Sequence, residues 1–165
     1  MGNSVDGVNL ATFMLSPLFK GVRDSVSLEG KPGIRWSGAI TVAPPFHYNR
    51  VMEQRCNLLK AYYGDRVQEH CALGLLKASL EAAQGSPKVL VMYTTLDPED
   101  DIIKPNLDFT EEGREIAGES LDFKLLDGHN HLNPVLAIGI GKSAQEVCGN
   151  MVAEWMAQIE AEMTT

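Results

Sequence analysis

The chain has 165 residues, of which 44% are hydrophobic and 22% charged, a balance that suits one globular domain long enough to bury a core. With 14 Lys and Arg against 22 Asp and Glu, its formal charge is −8; this argues against nucleic acid, because a duplex partner requires clustered cations that displace counterions. No apolar run approaches the roughly 20 residues of a membrane-spanning helix, and the start lacks a basic then apolar leader, so the expectation is a soluble, cytoplasmic chain with no membrane partner.

The start Met1-Gly2-Asn3-Ser4-Val5-Asp6 carries Asp6 where an N-myristoylation signal wants Ser or Thr, which sets lipidation aside. Cys56, Cys71 and Cys148 are odd in number and widely spaced, with no C-x-x-C. They are expected to be buried thiols rather than a disulfide framework or a zinc site.

In chain order, residues 8 to 15 have helical character, closed by Ser16-Pro17 because proline disfavours helix in the residue before it. Residues 25 to 33 read as loop by their Gly, Pro and Ser content, and Gly38 to Ala43 as a buried strand stopped by Pro44-Pro45. From 51 to 83 the pattern is helical and breaks near Gly64-Asp65, giving two helices, with Leu58, Leu59 and Tyr62 on one face and Leu73, Leu76 and Leu80 on another.

Lys88 to Tyr93 is the strongest strand, β-branched and apolar, and it leaves into the acidic loop 96 to 101. Leu121 to Leu126 alternates and ends at Asp127-Gly128, a third strand. Ser143-Ala144-Gln145-Glu146 has the form of a capping box, and Val147, Cys148, Met151, Val152, Trp155, Met156 and Ile159 follow at helical spacing. Short apolar strands separated by helices imply the α/β class, a parallel sheet of about three strands flanked by helices.

Three strand ends carry chemistry. Gly2-Asn3-Ser4-Val5-Asp6-Gly7 sets a serine among small residues just ahead of a helix, where a tight turn would expose its hydroxyl and the Val5 amide could donate to an oxyanion. Helix capping by Ser4 is the competing assignment. Asp97 follows the strongest strand, as a functional carboxylate or as the turn initiator before Pro98. His129 and His131 follow the last strand, where an imidazole could reach both a carboxylate and a serine. The order Ser, Asp, His is the order of α/β-hydrolases.

Together, Gly2-Asn3-Ser4 with Gly7, Ala43-Pro44-Pro45-Phe46, Leu96-Asp97-Pro98 and Gly128-His129-Asn130-His131 resemble the esterase and lipase branch of the α/β-hydrolases, nearest to kynurenine-formamidase-like and carboxylesterase-like members. The resemblance spans nearly the whole chain and corresponds to the second half of the family fold, from the nucleophile elbow onward. It implies a single truncated hydrolase domain over 1 to 165, with 51 to 83 in the place of cap or lid helices. It also implies Ser4 as nucleophile, Asp97 as acid and His131 as base, with His129 the second choice, acting on a small-molecule ester or amide without a cofactor.

Two departures accompany it. Asp6 stands where the family has a small residue, and its side chain is expected to crowd the turn and set an anion beside Ser4. By the resemblance, the preceding strands and the loop bearing a second oxyanion donor are expected to be missing; one such donor is worth about a hundredfold to a thousandfold in rate. Weak or no hydrolysis is therefore expected, the alternative being a noncatalytic remnant or truncated gene product that binds a small ligand or a protein. The strand around Ile40 is expected to present an open sheet edge and to promote homo-oligomers.

Other motifs carry less. Gly139-Ile140-Gly141-Lys142-Ser143 lacks the first glycine of a phosphate loop, since Leu136 stands there, and Ser143 is expected to be a helix cap. His47, His70, His129 and His131 offer no ligand spacing that defines a metal site.

Overall fold

In a computed structural model, residues 1–27, 37–51, 53–79, 88–117 and 121–162 are described. The strands are β1 (Gly2–Asn3), β2 (Gly38–Val42), β3 (Lys88–Thr94) and β4 (Leu121–Leu126), all parallel and ordered β1-β2-β3-β4. The helices are α1 (Val5–Leu15), α2 (Lys20–Ser27), α3 (Glu53–Tyr63), α4 (Val67–His70), α5 (Ala72–Ala78), α6 (Lys104–Ala117), α7 (Asn133–Leu136) and α8 (Val147–Glu162).

Because side chains alternate across a strand, β3 sends Val91 to one face of the sheet and Leu90 and Met92 to the other. The Val91 face is covered by Ala11, Met14 and Leu15 of α1, Leu73 and Leu76 of α5, and Phe109 of α6. The opposite face is covered by Cys148, Trp155 and Ile159 of α8. Burying each Leu, Met or Phe contributes about 1.5–3 kcal/mol. Gly38 lets α8 approach closely, since a Cβ there would lie 2.6 Å from the Trp155 ring, and Trp155 Nε1 donates to Asp122 Oδ2 at 2.5 Å.

The sheet has one strand more than the three read from sequence, because Gly2 and Asn3 pair with Thr41 and Val42. A two-residue strand is too short to show alternation. Residues 51 to 83 form three helices, not two, within their described part; Leu80 lies outside the described residues. Residues 25 to 27, expected as loop, complete α2, and 28–36 lie outside the described residues.

α3 buries none of its residues, and Leu58 and Tyr62 are 72% and 75% exposed. Its apolar positions therefore do not face the core. Cys71 and Cys148 are buried and Cys56 is exposed, so burial holds for two of the three thiols. No helix among the described residues is long and apolar enough to cross a membrane.

α6 had no counterpart in the apolar pattern. Its buried side is Pro105, Asn106, Phe109, Thr110 and Gly113, spaced as a helix face requires but largely polar or small. Asn106 Nδ2 donates to the carbonyls of Ile102 and Pro44, each at 2.8 Å. This ties the segment after β2 to α6 at the C-terminal ends of the strands.

Candidate functional site at the C-terminal edge of the sheet

Each of the three strand-end residues is placed by its strand. Ser4 follows β1, and its N–H donates to the Val42 carbonyl at 2.8 Å, which locks the turn to the end of β2. Its φ of 53° and ψ of −121° lie in a region that L residues rarely adopt, a strain of about 1–3 kcal/mol. The turn is tight enough that a Cβ on Gly2 would lie 2.5 Å from the Asp6 carbonyl oxygen, and one on Gly7 would lie 2.9 Å from Pro44 Cβ. Those are the positions that demand glycine. Asp6 is exposed in the first turn of α1, so the expected crowding by its side chain does not occur.

Ser4 occupies the N-cap position of α1, yet its side chain makes no capping hydrogen bond. Capping therefore does not account for the hydroxyl. Val5 is the first residue of α1, so its N–H is one of those a helix start leaves without an intrahelical carbonyl.

Asp97 lies three residues beyond the end of β3 and is buried. Its Oδ1 meets Nδ1 of His131 at 2.9 Å, and its Oδ2 accepts from the Thr94 hydroxyl. Both carboxylate oxygens are thus engaged away from the turn that Pro98 follows. The His131 side chain keeps 30% of its exposure while that of Asp97 has none.

Loop-to-loop hydrogen bonds hold this pair in register. Leu96 N–H donates to the His129 carbonyl at 3.0 Å, and Gly128 N–H to Thr95 Oγ1 at 2.8 Å. Around His131, the Asn130 side chain accepts from the N–H groups of Leu132 and Asn133, and the Asn133 side chain accepts from Asn130 N–H, all at 3.0 Å. His129 is buried, with Nδ1 directed at Asn133 Oδ1 at 3.3 Å. The two histidines therefore differ: His131 meets the carboxylate, and His129 braces the loop.

With Nδ1–H directed at Asp97, the Nε2 lone pair of His131 is left for a proton. Ser4 stands at the same edge of the sheet, but no hydrogen bond joins its hydroxyl to His131 among the described residues.

The other sequence candidates fall elsewhere. His47 is 1% exposed and bonds Asp108 Oδ2 at 2.8 Å through Nε2, while its Nδ1 accepts from Asn49 N–H at 3.3 Å. Among the described residues no group of three or more His, Cys, Asp or Glu could hold a metal ion. Ser143 does not cap α8, which starts at Val147; the preceding turn closes on the Lys142 carbonyl. Gly141 N–H donates to the Glu146 carboxylate at 2.9 Å, an anion already supplied by the chain.

Sequence reading missed Thr94 and Asn106. Both are fully buried polar residues, and a threonine ending a β-branched strand carries no pattern that marks its hydroxyl as engaged. In the acidic loop, Asp101 bonds Arg55 of α3 at 3.0 Å and Asp100 bonds Lys104 at 2.9 Å. Glu99 to Ile103 forms a π-helical turn leading into α6.

Neither a protein-family model nor a curated protein matches the chain. Among solved structures, the apo form of esterase 2 of Thermogutta terrifontis aligns with a TM-score of 0.61 at 15% identity, over 98% of this chain and 54% of that one. Carboxyl esterase 2 of the mycorrhizal fungus Tuber melanosporum gives 0.58 at 11% identity, over 91% and 50%. An esterase of Rhizomucor miehei gives 0.58 at 17%, over 96% and 48%. The chain spans about half the length of each of these structures. The likeness shows the fold: the parallel sheet and flanking helices of this chain follow about half of the α/β fold of those structures.

Proposed function

On that fold, we propose that the chain is a serine hydrolase that cleaves carboxylic esters or amides of small molecules, with Ser4 as nucleophile, His131 as base and Asp97 as the carboxylate that orients it. The observation that carries this reading is the contact of 2.9 Å between His131 Nδ1 and the buried Asp97 carboxylate, at the sheet edge that also bears the strained Ser4. In the proposed reaction the Ser4 oxygen bonds the acyl carbon as its proton passes to His131 Nε2. The proton then goes to the departing alkoxide or amine, and water completes the cycle through the same imidazole. The Val5 amide would donate to the oxyanion.

Esterase 2 of Thermogutta terrifontis has been described with propionate and with butyrate bound. Short aliphatic acyl esters are accordingly the first substrates to try. α3, tied to the Asp97 loop through Arg55 and Asp101, would serve as part of a cap over the site. A second reading, a noncatalytic remnant binding a small ligand or a protein, draws on the missing Ser4 to His131 hydrogen bond among the described residues. Catalytic hydrogen bonds are often long before substrate binds.

Labelling with a fluorophosphonate probe separates the two. Labelling lost in Ser4→Ala and His131→Ala but kept in His129→Ala supports the hydrolase. A folded wild-type chain that takes no label and cleaves no short-chain ester overturns it.

A further inference from the structure

We infer that Thr94 is a positioning residue for the Asp97–His131 pair, an inference that rests on the proposed roles of those two groups. Thr94 is the last residue of β3 and fully buried; it pairs with Leu126 of β4, as its neighbour Tyr93 pairs with Leu125. Its Oγ1 donates to Oδ2 of Asp97, while Oδ1 of the same carboxylate meets His131. A carboxylate held at one oxygen can rotate about its Cβ–Cγ bond; held at both, its plane is fixed. One end of this chain of contacts is anchored in the sheet and the other is the imidazole.

Chemistry adds a second reason. The Asp97 side chain has no solvent exposure, so the oxygen not facing His131 has no water to accept from. A buried acceptor left without a donor is costly, more so when charged. The hydroxyl of Thr94 fills that place, and it has one hydrogen to give. Valine at position 94 keeps the volume and removes the donor. Oδ2 is then unsatisfied, and the carboxylate is free to turn toward another partner and release Nδ1–H of His131.

The test compares Thr94→Val with Thr94→Ser, each of which leaves Ser4, Asp97 and His131 in place. The primary readout is the downfield proton resonance of His131 Nδ1–H in the full chain at neutral pH, assigned by its absence in His131→Ala. Thr94→Val is expected to broaden or abolish that resonance while the amide spectrum stays that of a folded chain; Thr94→Ser is expected to restore it. If Val cannot be accommodated, Thr94→Ala makes the same comparison against Thr94→Ser. Fluorophosphonate labelling of Ser4 is the second readout, expected to slow about ten- to a hundredfold in Thr94→Val, the scale of one hydrogen bond to a charged group.

A resonance unchanged in Thr94→Val, lost equally in Thr94→Ser, or absent from the wild type overturns the inference. A wild type that shows the resonance but takes no label instead overturns the proposed hydrolysis, and the Thr94 comparison still stands on the resonance.

Discussion

Nδ1 of His131 lies 2.9 Å from Oδ1 of Asp97, pairing a partly exposed imidazole with a fully buried carboxylate. The carboxylate decides which ring nitrogen carries the proton, since it can only accept. Asp97→Asn replaces one acceptor oxygen by a donor and favours the wrong tautomer, with Nδ1 accepting and Nε2 protonated. Probe labelling of Ser4 is expected to fall by about 10⁴ in Asp97→Asn, the scale seen when a triad aspartate is neutralised in this way. The loss should appear without a matching loss of folding. An Asp97→Asn chain that labels at the wild-type rate would remove His131 from the role of base.

Ser4 carries the complementary cost. Its φ of 53° and ψ of −121° suit glycine, so Ser4→Gly is expected to relieve backbone strain while removing the nucleophile. The relief, about 1–3 kcal/mol, is partly offset by about 0.5–1 kcal/mol of extra chain entropy in the unfolded state. Denaturant unfolding should show a net gain near 1 kcal/mol for Ser4→Gly and none for Ser4→Ala, whose Cβ keeps the strain. A Ser4→Gly chain less stable than Ser4→Ala would show that the turn is not strained.

The parts of this molecule that follow from apolar periodicity were legible in its sequence. β3 and β4 fall where β-branched and alternating residues predict them, and α8 follows Val147, Cys148, Trp155 and Ile159. What was not legible is built from polar or small residues that the chain buries. α6 packs through Asn106, Thr110 and Gly113: Asn106 donates to the carbonyls of Pro44 and Ile102, Thr110 to that of Asn106, and Gly113 leaves room for the Leu121 side chain. β1 is recognisable only by its pairing with β2.

The candidate site divides in the same way. Ser4, Asp97 and the two histidines stand out as reactive types at strand ends. The preference for His131 over His129 comes from the family resemblance; the side-chain directions that set His131 against Asp97 and His129 against Asn133 are visible only in the fold. Thr94 becomes meaningful only once Asp97 is seen to turn back toward β3.

Tyr48 and Tyr63 give the chain an alkaline limit. Burial, chiefly, pushes both phenols above their ordinary value of 10.0, and their hydroxyls lie 3.4 Å apart. A group whose folded value is raised contributes stability that is complete below the unfolded value and lost as pH climbs toward the folded one. Stability is therefore expected to decline above about pH 10, where phenols of the unfolded chain ionise. Tyr48→Phe cannot ionise, and should show a shallower alkaline decline in denaturant midpoint despite losing one weak hydrogen bond at neutral pH. An identical decline in the variant would place the alkaline sensitivity elsewhere.

The edge of β2 bears on assembly. β1 meets β2 at Thr41 and Val42, while Ala39 and Ile40 lie beyond those registered pairs. Their side chains are buried against the two faces of the sheet, so this edge offers backbone groups rather than a greasy surface. An open edge is a template for another strand, and Leu96, Leu132 and Leu136 add exposed apolar side chains near the strand ends that carry the site. Concentration-dependent self-association is the expected outcome. Light scattering should give a mass rising above the 18.0 kDa of one chain, and amide exchange within β2 should slow as concentration rises, since pairing protects the edge. A monodisperse mass of one chain at every concentration, with β2 exchange unchanged, would mean that the edge is not used for pairing between copies.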